Sequence, residues 1–482
     1  MYSAENFKER FLFLMLALGF ILGPAVASVA KKTAVAKKTS GAMQPVLRPN
    51  VLMITIDTLR ANHLSCYGYH KITSPRMDRL ASQGVRFDRA YTTIPQTGPA
   101  HASLLTGRYP QEIGARVNGQ PMANDPRVLP LQRILKRNGY RTGAFVSAWP
   151  LKDRLTHLRR GFDVYNEKFT KTFQLISSYR SAEDVTPKAI HWLRMKSRMK
   201  KKRPFFLWVH FFDPHSPYEL QEKYADLPPN PSGTLKTTAL NKEMATRIRS
   251  YDSEIAHTDH HVGLLLDELE TLGLRDSTVM IILADHGESL GEKGYVGHGN
   301  HLYENISQIP LILSYPPAVA AGQIVNERVS LVDVMPTILD LVGIKPPFPL
   351  QGRSLRSYLN GSPPPARDTY IVTFSGKPGI APKWLRWLWY SSSEKQLPLK
   401  IGHIRSDRKI IWTPARNKIE EYDLRLDRRE MKPIFAGKPN GQYQSSINSL
   451  KLWFESTNRH KHNPTKRKKK DIEVLRSLGY ID

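Results

Sequence analysis

Apolar residues recur along this chain in short, nearly unbroken runs. The clearest reads Asn50, Val51, Leu52, Met53, Ile54, Thr55, Ile56 and closes on Asp57. A strand of a parallel sheet has this pattern when helices cover both of its faces. Similar runs occupy residues 142–147, 204–212, 278–284 and 310–314. Between them the apolar period lengthens to that of helices, over residues 74–83, 182–198, 244–272 and 329–342. Alternation of the two patterns predicts an α/β protein with a central, mostly parallel sheet flanked by helices. Sites in such sheets gather at the carboxyl ends of strands, so the polar residues there carry the functional argument.

After about residue 352 the pattern changes. Pro363, Pro364 and Pro365 interrupt the chain, and residues 370–426 alternate with many aromatics, as in a small antiparallel sheet. A helix is predicted near residues 446–455. The expected organisation is a catalytic domain over residues 49–352 and a smaller C-terminal α+β subdomain with a basic tail over residues 353–482.

The N-terminus reads as an address. Lys8, Glu9 and Arg10 precede an apolar run over residues 11–22, which Gly23 and Pro24 end; small residues follow up to Ala30. This is the plan of a secretory signal peptide over residues 1–30, cleaved after Ala27 or Ala30. The run is shorter than the ~20 residues that span a bilayer, although an uncleaved membrane anchor is the alternative. Either way the catalytic part is expected in the periplasm or outside the cell. Residues 31–48 read as a basic linker.

Composition narrows the partners. One cysteine in 482 residues excludes a disulfide scaffold and a cysteine-based zinc site. Lys and Arg number 71 against 43 Asp and Glu, a formal charge of +28, which suits polyanions such as acidic glycans, lipid headgroups or envelope surfaces. Basic clusters stand at residues 194–203 and 459–470. No zinc-finger, helix-turn-helix or RNP motif accompanies them, so specific nucleic-acid reading is not expected.

Four segments at strand ends carry reactive side chains. They hold Asp57; Thr97 and His101 around Gly98-Pro99; Asp213-Pro214-His215; and Asp285-His286-Gly287-Glu288 with Gly297-His298-Gly299 beyond. Their oxygens and imidazoles suit a divalent cation such as Mn, Zn or Ca, and Thr97 supplies a hydroxyl that a cation could activate. If a helix starts near Ala100, Thr97 would lie beside free backbone N–H groups, which favour an anionic ester. His257 and His261 are four apart and could face one metal. They are read as a polar helix face and left outside the site.

These segments, together with Ala102-Ser103-Leu104-Leu105-Thr106-Gly107-Arg108-Tyr109-Pro110 and Leu302-Tyr303-Glu304, resemble the sulfatase family of the alkaline-phosphatase superfamily. The resemblance covers roughly residues 50–352 and short stretches at 421–424 and 478–481. It implies an alkaline-phosphatase-like fold and an ester hydrolase or transferase.

The departures are as informative. A sulfatase of the usual kind carries Cys or Ser, any residue, Pro, any residue, Arg, and oxidises the first to formylglycine. Here the window reads Thr97-Gly98-Pro99-Ala100-His101. Threonine cannot become formylglycine, because its β-carbon bears a methyl group. Cys66 lacks the following Pro and Arg and reads as a packing residue. A threonine nucleophile instead is similar to the nucleotide phosphodiesterase, lipoteichoic-acid synthase and phosphoethanolamine transferase branches. That resemblance implies a metal on Asp57, Thr97, Asp285 and His286, ester-binding or second-metal roles for His215 and His298, and an orienting role for His101; Asp213 could join them. The expected activity is metal-dependent cleavage or transfer of an anionic ester, a phosphodiester or phosphonate in preference. The alternatives are a sulfuric ester hydrolase or a catalytically silent binder of envelope polymers.

Overall fold

The computed structural model describes residues 48–173, 176–199, 202–236, 239, 241–374, 398–458, 471 and 473–475. The expected leader, most of the linker, the basic cluster at 459–470 and the 478–481 motif lie outside the described residues, as do Lys200 and Lys201.

The continuous apolar runs form the middle of a nine-stranded sheet. Its strands are β1 (Asn50–Ile56), β2 (Val85–Tyr91), β3 (Arg141–Phe145), β4 (Val164–Asn166), β5 (Phe205–Phe211), β6 (Thr278–Ala284), β7 (Gln308–Ile309), β8 (Leu311–Ser314) and β9 (Gln323–Ser330). The order is β7-β2-β8-β6-β1-β5-β3-β4, with β9 also on β2. Only β7 and β8, one run broken by Pro310, are antiparallel to their neighbours. Every residue of β1, β5 and β6 is buried, which is why these strands tolerate no polar alternation.

The main helices are α1 (Pro75–Ser82), α2 (Thr97–Thr106), α3 (Ala182–Ser197), α4 (Lys242–Thr271) and α5 (Val334–Leu341). All but α2, which is buried on every side, match their predicted periods. The helix expected over 329–342 begins later, because Val329 and Ser330 complete β9. Ser330 then caps the turn at 331–333: its side chain accepts from the Asp333 backbone, and the Asp333 carboxylate accepts from the Ser330 N–H.

Beyond residue 352 lies a five-stranded antiparallel sheet: β10 (Thr369–Thr373), β11 (Lys400–Arg405), β12 (Arg408–Thr413), β13 (Lys418–Asp423) and β14 (Phe435–Gly437), paired in chain order. Helix α6 (Gly441–Thr457) follows. Ile401, Trp412, Ile419 and Leu450 pack into the same apolar core as β1 and β6.

One buried ion cluster joins this sheet to the loop that leads away from the strand-end motifs. Lys409 Nζ, fully buried on β12, lies 2.8 Å from Glu304 Oε1 and 3.0 Å from Glu430 Oε1. Burial pushes the Glu430 carboxyl up despite Lys409. Removing the lysine leaves two carboxylates buried without their cation. Lys409→Met is therefore expected to cost about 3–5 kcal/mol, read as a lower denaturant midpoint at unchanged slope.

Candidate active site

Strand register alone brings the first carboxylates together. β1 lies between β6 and β5, with Ile56 opposite both Ala284 and Phe211. The next residues along the two parallel strands β1 and β6 are Asp57 and Asp285, so both acids leave the sheet side by side. His286 follows at once. Thr97 enters from the other direction, as the first residue of α2.

These four side chains are fully buried and converge. Thr97 Oγ1 lies 3.4 Å from Asp57 Oδ1 and 3.4 Å from His286 Nε2. His286 Nε2 is 3.4 Å from Asp285 Oδ2 and 3.8 Å from Asp57 Oδ1. One ligand atom from each of Asp57, Asp285 and His286 fits within a mutual 4.8 Å. The His286 ring is set for ligation: its Nδ1–H donates to the Gly287 carbonyl at 3.0 Å, so the Nε2 lone pair faces the cluster. Asp285 Oδ1 accepts from the backbone N–H of Thr58 and His286, at 3.3 and 2.8 Å, which fixes the carboxylate and leaves Oδ2 directed at the imidazoles.

The donor chemistry suits a divalent cation. Two carboxylates buried together are costly without a compensating charge, and among the described residues the ion-pair partners of Asp285 are the imidazoles of His101 and His286. Asp285 Oδ2 makes no hydrogen bond. Two oxygens and one imidazole nitrogen at this spacing are a fitting ligand set for Mn, Zn or Ca.

His101, one turn along α2, sits beneath the threonine rather than beside its hydroxyl. Its Nδ1–H donates to the Thr97 carbonyl at 2.7 Å, and its Nε2 pairs with Thr55 Oγ1 at 3.0 Å. Thr55 Oγ1 also accepts from Trp208 Nε1 at 2.9 Å. With the carbonyl able only to accept, a neutral His101 carries its proton at Nδ1 and accepts a hydrogen bond from the Thr55 hydroxyl at Nε2. Burial lowers the basicity of His101, which keeps it in that form.

The expected cradle of free amides beside Thr97 does not form at residues 98–100. The helix starts at Thr97 itself, Gly98 N–H is bonded to Asn118 Oδ1 at 2.8 Å, Pro99 has no N–H, and Ala100 N–H is bonded to the Gln96 carbonyl at 2.9 Å. Histidines stand beside the cluster. The His298 ring lies 4.5 Å from His286 and 5.1 Å from His215, centroid to centroid. His298 Nδ1 is 3.1 Å from Glu288 Oε1, and His215 Nδ1–H donates to the Ser216 carbonyl at 2.6 Å. Burial drives His215 down to about 3 and His298 well below the usual range. Asp213 is turned elsewhere: its Oδ2 accepts from the Ala182 N–H at 2.9 Å, at the start of α3.

The profile of the sulfatase family matches residues 49–344. The chain belongs to the sulfatase family. It is 25% identical to the N-acetylglucosamine-6-O-sulfatase of Bacteroides thetaiotaomicron, over 86% of this chain and 87% of that one. Two solved structures share its fold. One, 24% identical, is a complex with its substrate D-glucosamine-2-N,6-O-disulfate; it covers 86% of this chain and 98% of its own at a TM-score of 0.65. The other is the phosphonate monoester hydrolase of Agrobacterium radiobacter, 20% identical, covering 85% and 95% at a TM-score of 0.66. The protein is thus a sulfatase-family ester hydrolase of the alkaline-phosphatase superfamily.

Two further residues of the strand-end segments, to which the sequence reading gave no role, stand at this site. His210 is inside β5, where Nδ1 accepts weakly from Ser147 N–H at 3.4 Å; its Nε2 stands 3.8 Å from Asp57 Oδ2. Its ring is 5.0 Å from that of His101, so it backs Asp57 from behind. Glu288 is fully buried and holds His298. Polar residues inside otherwise apolar strands were the available signal for His210. Cys66, by contrast, is half-buried and its carbonyl and N–H are engaged by Arg86 and Asp78, as befits a packing position.

Proposed function

We propose that this protein is an exported, metal-dependent hydrolase of anionic phosphorus esters, phosphodiesters or phosphonates, with Thr97 as its nucleophile. The supporting observation is the buried Thr97 hydroxyl at 3.4 Å from both Asp57 and His286, in the slot where a usual sulfatase carries Cys or Ser. Asp57, Asp285 and His286 would hold the metal, whose positive charge would offset that of a bound ester and favour the alkoxide of a nearby hydroxyl.

The residues of the chain do the rest. The Thr97 Oγ–phosphorus bond forms as the bond from phosphorus to the leaving oxygen breaks, giving a phospho-threonine. With the His286 Nε2 lone pair committed to the metal, the Asp57 carboxylate, which has lone pairs to spare, is the acceptor in reach of the threonine proton. His101 fixes the first turn of α2, and with it the hydroxyl, through the Thr97 carbonyl. His215 carries its proton at Nδ1, so its Nε2 accepts until a bound anion raises its basicity; protonated, it donates to the ester or its leaving oxygen. His298, held by Glu288, serves beside it. Water then attacks phosphorus and releases Thr97.

The second reading is sulfate-ester hydrolysis by the same threonine; the names of relatives such as the N-acetylglucosamine-6-O-sulfatase favour it. A panel separates the two. The purified full chain, supplied with Mn or Zn, is assayed on aryl phosphodiester, phosphonate monoester, phosphate monoester and sulfate ester. The expected kcat/KM on phosphodiester or phosphonate exceeds that on sulfate by at least about 100-fold. A higher value on sulfate would replace the first reading with the second.

A further inference from the structure

A second cluster of ligand-type side chains stands on two helices outside the reaction centre. His257 and His261 are one turn apart on α4 and both are more than nine-tenths buried. Their rings are 4.8 Å apart. Glu183, in the first turn of α3, places Oε1 3.8 Å from His257 Nε2. One ligand atom from each of the three fits within a mutual 4.8 Å. The Nδ1 of His261 is buried and makes no hydrogen bond. Asp259, the acid between the two histidines, is committed elsewhere: it accepts from the N–H of Arg76 and of Met77, each at 2.8 Å.

We propose that Glu183, His257 and His261 form a second divalent-metal site of the zinc class that ties α3 to α4. Two imidazoles one helical turn apart present their nitrogens to one point, and a carboxylate from a neighbouring helix completes three protein ligands. The two-nitrogen, one-oxygen set suits zinc better than calcium or magnesium, which favour oxygen-rich sets. Zinc bonds of about 2.0–2.2 Å draw the three atoms closer than they stand here. Glu183, 68% exposed at its side chain, has the freedom to make that closure. Burial lowers the basicity of both histidines; Lys223 adds to this at each, His257 and His260 add to it at His261, and Glu183 opposes it at His257.

The position gives the site a task. The same start of α3 donates Ala182 N–H to Asp213, and the Thr258 hydroxyl on α4 donates to the Asp213 carbonyl at 3.1 Å. A metal joining α3 to α4 there clamps the two supports of the segment that carries His215. The role proposed for it is to hold α3 against α4.

The test is a zinc titration of the chelator-treated full chain, followed by calorimetry, on five proteins. The His257→Gln/His261→Gln variant is expected to bind one zinc equivalent fewer than the unsubstituted chain. Asp285→Asn, altered in the reaction centre, keeps that equivalent. Glu183→Gln, at an exposed position that leaves the fold intact, weakens it at least about tenfold. Zinc raises the melting temperature of Asp285→Asn by about 2 °C or more, through binding to the folded state alone, and the rise disappears when Glu183→Gln is added. Asp285→Asn binding no zinc, or the double histidine variant binding as much as the unsubstituted chain, would overturn the proposal.

Discussion

Thr97→Ala is expected to lower the rate of ester cleavage by roughly three orders of magnitude or more, because it removes the attacking atom itself. The loss should fall on kcat with little change in stability. Thr97 opens α2, and its removal leaves the bonds that hold that turn in place: Gly98 N–H to Asn118, His101 Nδ1–H to the residue 97 carbonyl, and Ala100 N–H to Gln96. Thr97→Ser keeps the hydroxyl and should recover activity to within about tenfold, the residue losing only a methyl group that helps orient the oxygen. Peptide mass spectrometry should find unmodified threonine at this position. An alanine variant as active as the unsubstituted chain would remove threonine from the mechanism. Inactivity of the unsubstituted chain on every ester, with metal bound, would favour the envelope-polymer binder.

Legibility in the sequence followed burial. β1, β5 and β6 are covered on both faces, so their composition is nearly pure apolar and their ends are marked by the first polar residue. That is why Asp57, Asp285 and His286 could be located before any register was known. β2, Val-Arg-Phe-Asp-Arg-Ala-Tyr, was hidden for the opposite reason. It alternates buried and half-buried positions, and its charges find partners at the sheet surface, Arg86 with Asp88 and Arg89 with Asp407. The start of α5 was misplaced because Val329 and Ser330 suit a strand end and a helix start equally; the mutual capping of Ser330 and Asp333 decides it. The partners of the reactive residues were hardest to see. His101 depends on Thr55 and Trp208, which are 46 and 107 positions away and meet it only through the pairing of β1 with β5. The pairing of Glu183 with His257 and His261 likewise exists only once α3 packs on α4.

Asp285→Asn is expected to abolish tight metal binding at the reaction centre while leaving the fold intact. The amide is the same size as the carboxylate. Its oxygen can stay where Oδ1 is, accepting from the N–H of Thr58 and His286, so the strand-end turn keeps its bonds. Its NH2 then falls at the Oδ2 position, 3.4 Å from His286 Nε2. There it presents hydrogens to the lone pair that a cation would need, and the site has lost one of its two negative charges. Both effects oppose the cation. Affinity for Mn or Zn at this centre should fall at least about 100-fold, beyond what removal of an outer supporting contact costs, and kcat/KM should fall by about three orders of magnitude with it. Stability should move the other way. In the metal-free chain Asp57 and Asp285 repel each other across a buried cluster, so removing one charge should raise the melting temperature of the metal-free protein or leave it unchanged. Elemental analysis, ester kinetics and thermal denaturation of the same preparation read the three effects. Retained activity together with undiminished metal content at this centre would show that Asp285 is not a ligand; a variant that has lost activity and also melts well below the unsubstituted metal-free protein would show that the carboxylate holds the fold rather than the ion.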